Sequence, residues 1–142
     1  MNTPTPTRAA GSSLRVADAM HHGVLTCARD EPLSTVAEMM VQHRVHCVVV
    51  TDHPDQAGAL WGVVSDLDLV AAGSVRGLDD QLAEATAATA ALTISPHETL
   101  QRAAQLMTEH GTAHLVVVDP GTLRPVGVLS TLDVARALAE TA

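Results

Sequence analysis

The chain has 142 residues, of which 46% are hydrophobic and 17% charged, a balance typical of a globular protein with a substantial core. Eight basic residues stand against 16 acidic ones, and the resulting net charge of −8 disfavours nucleic acid or an anionic membrane as the main partner. No apolar run reaches the roughly 18 residues that span a bilayer, and the N-terminus lacks the apolar centre of a signal peptide. We therefore expect a cytoplasmic protein.

The first 13 residues, MNTPTPTRAAGSS, are polar and predict a disordered tail. After them the sequence contains an internal repeat. The segment from Thr26 to Asp52 aligns with the segment from Thr93 to Asp119. A self-match of this length indicates internal duplication. We predict a first repeat over 14–76, a linker over 77–81 and a second repeat over 82–140.

Each repeat predicts the same elements in the same order. A short strand is followed by an amphipathic helix, whose apolar residues in the first repeat are Leu33, Val36, Ala37 and Met40. The runs CVVV and LVVV predict buried strands, and WGVVS and VGVLS predict their hairpin partners. A second helix then begins just after Ser65 or Ser130. The predicted fold class is α/β, with two β-α-β-β-α units related by a pseudo-twofold axis.

The motif Gly-Val-Val/Leu-Ser-x-x-Asp spans the end of a predicted strand and the start of the second helix in each repeat. This motif has two interpretations. Ser65 with Asp68, and Ser130 with Asp133, can each form a capping box that only stabilises the helix. The same geometry suits a ligand, since the serine and the free amides of the helix can bind phosphate. The aspartate can then accept hydrogen bonds from ribose hydroxyls.

These motifs, with V-x-D-x-M, the Leu-x-x-x-Ala-x-x-Met helix and VVV-x-D, resemble the cystathionine-β-synthase (CBS) domain, here as a tandem pair over about 14–140. The resemblance implies a module, usually a disc-like dimer, with clefts for adenosyl ligands such as AMP, ATP or S-adenosylmethionine. It implies that Asp68 and Asp133 bind ribose and that Ser65 and Ser130 bind phosphate.

The family's adenine-binding main chain corresponds to Thr26 and Thr93, to Val45 and His46 within Val45–Cys47, and to Thr112 and Ala113 within Thr112–His114. The sequence departs from the family at the central strands, where the frequent proline is Val49 or Val116. It also has Arg44 where a glycine commonly precedes the strand.

Cys27 and Cys47 leave a second hypothesis open. The predicted fold brings the segments that carry them to one cleft, so that they could form a metal or redox site with His46 or His21. The alternative is a pair of partly buried cytoplasmic thiols with no such role.

No catalytic motif is present, so we expect a protein that is not an enzyme. The sequence favours a stand-alone regulatory module that binds an adenosyl ligand, without a firm cofactor, and that acts on an unidentified protein effector. A metal or thiol sensor, or a ligand-free dimerisation module, are the alternatives. We expect a homodimer through the exposed apolar stripes Leu67/Val70 and Leu132/Ala135. Phosphate should favour the second repeat, which has Thr131 where the first has Asp66.

Overall fold

The computed structural model describes residues 14–52, 59–87 and 91–141. The tail predicted for residues 1–13 lies outside the described residues. In the part of the chain that is described, no helix has the length and apolar character needed to cross a membrane. The fold is mixed α/β, as the sequence predicts.

Both repeats fold into the same series of elements. In chain order these are α1 (Val16–Ala19), β1 (His21–His22), β2 (Thr26–Ala28), α2 (Leu33–His43), β3 (Cys47–Thr51), β4 (Leu60–Ser65), α3 (Asp66–Gly73), a 3₁₀ turn (Leu78–Asp80), α4 (Ala83–Thr86), β5 (Thr93–Ile94), α5 (Leu100–His110), β6 (His114–Val118), β7 (Pro125–Ser130) and α6 (Thr131–Thr141). The predicted order of strand, helix, strand, strand and helix is confirmed in each repeat. A short helix, α1 or α4, precedes it, and the predicted linker contains the 3₁₀ turn.

The elements form two compact units. Among the described residues, one unit lies within Val24–Ala91, and the other combines those up to Gly23 with those from Leu92 onward. We name them the β3 unit and the β6 unit after their central strands. The β3 unit contains a three-stranded sheet in the order β2-β3-β4, and the β6 unit a four-stranded sheet in the order β1-β7-β6-β5.

The core of each unit lies between one face of its sheet and the helices that cover it, α2 and α3 in the β3 unit and α5 and α6 in the β6 unit. In the β3 unit, Leu33 and Val36 of α2 join Val48 and Val50 of β3, and all four are fully buried. In the β6 unit the equivalent cluster comes from α5 and β6, including Leu100, Ala103, Met107, Leu115 and Val117. Helix positions spaced by three and four residues thus meet alternate strand positions, as the two periodicities require.

The short leading helix of each repeat hydrogen-bonds to the segment that precedes α2 or α5 of the other repeat. The amide of Val16 in α1 donates to the carbonyl of Glu98 at 2.8 Å, and the amide of Ala83 in α4 donates to the carbonyl of Glu31 at 2.8 Å. Val16 and Ala83 are both fully buried. The compact units therefore do not coincide with the repeats read along the sequence, because each contains the leading helix of the other repeat.

Helices α2 and α5 both end on a left-handed residue. Gly111 adopts φ 61° after α5, and Arg44 adopts φ 55° and ψ 46° after α2. Glycine tolerates this conformation because it has no Cβ, whereas arginine pays a steric cost. The departure from the family at Arg44 therefore leaves the backbone turn in place and places a strained residue in it.

Arg29 links α4 to the rest of the β3 unit. Its Nε donates to Glu84 Oε1 at 3.1 Å, and its Nη1 donates to Asp52 Oδ1 at 3.1 Å. The guanidinium also lies 3.6 Å from the ring centre of Trp61, the single aromatic residue of the chain. Trp61 packs against the core of this unit, so its fluorescence reports on the β3 unit.

Candidate functional site

The first Ser-x-x-Asp motif forms a capping box at the start of α3. The amide of Asp68 donates to Ser65 Oγ at 3.1 Å, and the amide of Ser65 donates to Asp68 Oδ2 at 2.8 Å. The interpretation of the motif as a helix cap is confirmed. The serine hydroxyl accepts in this arrangement, so its own proton remains available to a ligand.

Asp66 places a carboxylate on the first turn of α3. Its backbone amide donates to the carbonyl of His46 at 2.9 Å. In its side chain, Oδ1 accepts from the amide of Leu67 at 2.9 Å, and Oδ2 lies 3.0 Å from His46 Nδ1. The first three amides of α3, including that of Asp68, therefore already have acceptors within the protein. An incoming anion would have to displace a negative charge that the helix dipole stabilises.

The second motif forms the same capping box at the start of α6. The amide of Asp133 donates to Ser130 Oγ at 3.1 Å, and the amide of Ser130 donates to Asp133 Oδ2 at 2.9 Å. The amide of Thr131 donates to the carbonyl of Ala113 at 2.9 Å. Thr131 has no carboxylate, and within the described residues no acceptor meets the amide of Leu132. The N-terminus of α6 thus offers an amide that α3 does not.

Asp133 is buried beneath His21, a contact that sequence reasoning missed. Its side chain is 1% exposed, and His21 Nδ1 lies 3.1 Å from Oδ1 and 3.2 Å from Oδ2. Arg136 Nη1 lies 3.5 Å from Oδ1. Within the described residues Oδ1 nevertheless has no hydrogen bond of good geometry, since Oδ2 takes the bonds of the cap and of the imidazole. The two residues are separated by 112 positions, and no local pattern connects them.

The close approach of β1 explains why the second motif begins with a glycine, Gly127. Residue His22 of β1 pairs with Gly127 of β7, and a Cβ at position 127 would lie 2.5 Å from the carbonyl oxygen of His21. It would also lie 3.0 Å from Sδ of Met20. The absence of a Cβ at this position therefore allows the close backbone approach. It is what lets β1 bring His21 over Asp133.

The other predicted residues lie on the sheet face opposite the helices or in the turns beside the two motifs. Thr93 pairs with Val116, which pairs with Val128, and Val128 pairs with His21, so these residues form one row across the sheet of the β6 unit. Thr112 and Ala113 form the turn that hydrogen-bonds to the start of α6. Neighbouring strands lie about 4.8 Å apart, so Thr93 on β5 lies roughly 10 Å from β7.

The β3 unit repeats this arrangement. Thr26 pairs with Val49, which pairs with Val63. Val45 and His46 form the turn before β3, and His46 reaches the start of α3. In both units the structure therefore brings the turn before the central strand to the Ser-x-x-Asp motif, while the threonine remains two strands away.

The strand register does not place Cys27 and Cys47 on one face of the sheet, where a shared metal or redox site would need them. Cys27 lies within β2 opposite Val50 and belongs to the core beneath α2, whereas Cys47 occupies an alternate position of β3 and faces the other side of the sheet. A single ion bound with His46 cannot reach both thiols through the sheet. Within the described residues no group of three or more histidine, cysteine or acidic side chains is arranged to hold a metal ion.

The environment of Cys27 also disfavours a reactive thiol. Burial, together with the smaller effect of the nearby negative charge of Glu31, raises the pKa of Cys27 to about 11. The thiolate is both the nucleophile and the metal ligand, so this cysteine is held in its unreactive form near neutral pH.

Comparison with known proteins identifies relatives over most of the chain. It is 29% identical over 121 residues to the CBS domain-containing protein YhcV of Bacillus subtilis, covering 84% of this chain and 82% of YhcV. The structure matches the CBS domain protein PAE2072 from Pyrobaculum aerophilum, solved in complex with AMP, with a TM-score of 0.77 and 25% identity over 89% of this chain and 99% of that one.

Two further solved structures share the fold at lower identity. The CBS domain pair of protein MJ0100, in complex with 5′-methylthioadenosine and S-adenosyl-L-methionine, matches with a TM-score of 0.79 and 19% identity over 90% of this chain and 98% of that one. Hypoxic Response Protein I with two coordinated zinc ions matches with a TM-score of 0.71 and 23% identity over 86% and 97%.

The family model of the CBS domain matches the chain twice, over residues 16–74 and 85–140. These matches span most of the two repeats and agree with the duplicated elements of the structure. The chain therefore belongs to the CBS domain family, as a tandem pair.

Proposed function

We propose that this CBS pair is a regulatory module that binds an adenosyl ligand of the AMP, ATP or S-adenosylmethionine class, with its stronger phosphate site in the β6 unit. The observation that carries the proposal is the first turn of α6. One turn of helix presents the hydroxyl of Ser130, the amide of Leu132 and the carboxylate of Asp133. These are the groups that a phosphate and a ribose require together.

The phosphate should favour α6 over α3 because of Asp66. A phosphate about 5 Å from this carboxylate is repelled by about 3 kcal/mol at an effective dielectric near 20. Salt screening reduces the repulsion to about 1 kcal/mol, which is still several-fold in affinity. His46 lies beside Asp66 and offsets part of the charge when it is protonated. The start of α6 has no such carboxylate in its first position, since Thr131 offers a hydroxyl instead.

The ribose and adenine assignments rest on chemistry and on similarity. Asp133 Oδ1 lacks a hydrogen bond of good geometry within the described residues, so it can accept one from a ribose hydroxyl once the imidazole of His21 has moved aside. The turn at Thr112 and Ala113 and the main chain at Thr93 are the proposed adenine contacts. The structure of PAE2072 with AMP, at 25% identity, supports the ligand class.

We also propose that two copies of the chain associate through α3 and α6. Leu67 and Val70 of α3 are 73% and 69% exposed, and Leu132 and Leu138 of α6 are exposed as well. Apolar side chains repeated along equivalent helices favour burial against a second copy. A ligand then regulates an effector only if it binds one arrangement of the module or its dimer better than another. Light scattering that finds only a 14.8 kDa particle at micromolar concentration would contradict the dimer.

A thermal-shift panel of AMP, ATP, S-adenosylmethionine and Zn²⁺ tests the ligand class. A ligand at 100 times its dissociation constant stabilises the native state by about 2.7 kcal/mol. For a chain of this size that corresponds to a rise in melting temperature of about 8 °C. We expect the rise with at least one adenosyl ligand. A rise with Zn²⁺ alone would instead favour the metal sensor, and no rise at all would leave the dimerisation module.

A further inference from the structure

The imidazole of His21 contacts the carboxylate of Asp133, which the proposed ribose site needs. Its Nδ1 lies within 3.2 Å of both carboxylate oxygens of Asp133, and that side chain is 1% exposed. A ribose hydroxyl therefore cannot reach Asp133 while the imidazole stays in place. The imidazole itself is 70% exposed, so it can leave the carboxylate for solvent without opening the core.

The backbone that carries His21 is held independently of its side chain. Strand β1 pairs with β7 through main-chain bonds, with His21 opposite Val128 and His22 opposite Gly127. A change of side-chain rotamer can thus uncover Asp133 while β1 remains paired. The second histidine of β1 points elsewhere, since His22 Nε2 lies 3.1 Å from the carbonyl of Ala17.

We propose that His21 is a built-in competitor of the ribose for Asp133. This inference rests on the proposed function and adds a regulator to the same site. A ligand with ribose hydroxyls displaces the imidazole and replaces its hydrogen bond to the carboxylate. Because each ribose contact is gained at the expense of the His21 contact, the net affinity is lower than the site would otherwise give. A ligand without the hydroxyls has no reason to displace His21.

Calorimetry with AMP and with 2′,3′-dideoxy-AMP tests the competition in variants of His21, His22 and Asp133. We expect His21→Ala to bind AMP about tenfold more tightly than the wild type, which corresponds to about 1.4 kcal/mol. The neighbouring His22→Ala is the matched control and should bind as the wild type does. The gain in His21→Ala should be absent for the dideoxy ligand and absent in an Asp133→Asn background, because both remove the contact for which His21 competes. His21→Gln, which retains a hydrogen-bond donor, should lie between the wild type and His21→Ala.

A second measurement observes the displacement directly. Nitrogen NMR of the histidine rings should show the His21 signals shifting when AMP is added to the wild type, while those of His22 stay unchanged. If AMP binds the wild type but His21→Ala binds it equally or more weakly, the competition is overturned and the proposed function stands. If no adenosyl ligand binds the wild type or any variant, both proposals are overturned.

Discussion

Replacing Arg44 by glycine should stabilise the β3 unit, although it removes a charged side chain from a helix end. Arg44 has φ 55° and ψ 46°, and a residue with a Cβ pays about 1–2 kcal/mol in this left-handed conformation. Glycine avoids this cost but loses about 0.4–1 kcal/mol through the greater freedom of the unfolded chain. The net gain expected is about 0.5–1 kcal/mol, or up to about 3 °C in melting temperature.

Arg44→Ala is the control, because it removes the same charge and keeps the Cβ. The favourable interaction of Arg44 with the helix dipole is a few tenths of a kcal/mol, and both variants lose it equally. Urea unfolding followed by Trp61 fluorescence reads the unit that contains the substitution. The second repeat gives the reverse experiment, since Gly111→Ala should cost about 1 kcal/mol. If Arg44→Gly is no more stable than Arg44→Ala, the Cβ carries no steric cost at this position.

Three further outcomes follow from the same contacts. Ser65→Ala and Ser130→Ala should each cost about 1 kcal/mol of unfolding free energy in urea titrations, because each removes a capping hydrogen bond, and an unchanged midpoint would contradict the capping box. Gly127→Ala should lower the free energy of unfolding by about 1–3 kcal/mol through its clash with β1. Gly77→Ala, whose Cβ meets nothing within 4 Å, should be neutral, and equal effects of the two substitutions would refute the close approach. Cys27, with a pKa of about 11, should react with iodoacetamide at pH 8 about a hundredfold or more slowly than an unhindered thiol and should speed up as the pH rises towards 11; rapid labelling at pH 8 would show that it is not buried.

Local patterns in the sequence predicted the elements and the two motifs. The spacing of Leu33, Val36 and Met40 predicted α2 and the face that it buries, because a helix repeats every 3.6 residues. Ser65 and Ser130 predicted where α3 and α6 begin, because the capping residues lie next to the helices that they cap. Because the two repeats align, each element predicted in one repeat was also predicted in the other.

Contacts between distant segments could not be predicted in this way. Strand β1 has only two residues, too few to show alternation, so nothing placed His21 opposite Val128 or over Asp133. The two cysteines were expected in one cleft because their segments are neighbours. Their separation depends on the register of β2 against β3, since moving a residue by one position along a strand moves its side chain to the opposite face.

The most direct test of the central claim is a calorimetric titration of AMP into the wild type, Asp133→Asn and Asp68→Asn. Both substitutions keep the size of the side chain and remove its charge, and each leaves the other capping box intact. We expect the tighter site to disappear in Asp133→Asn and to persist in Asp68→Asn. Loss of the tighter site in Asp68→Asn, with Asp133→Asn binding as the wild type does, would show that the stronger phosphate site lies in the β3 unit instead.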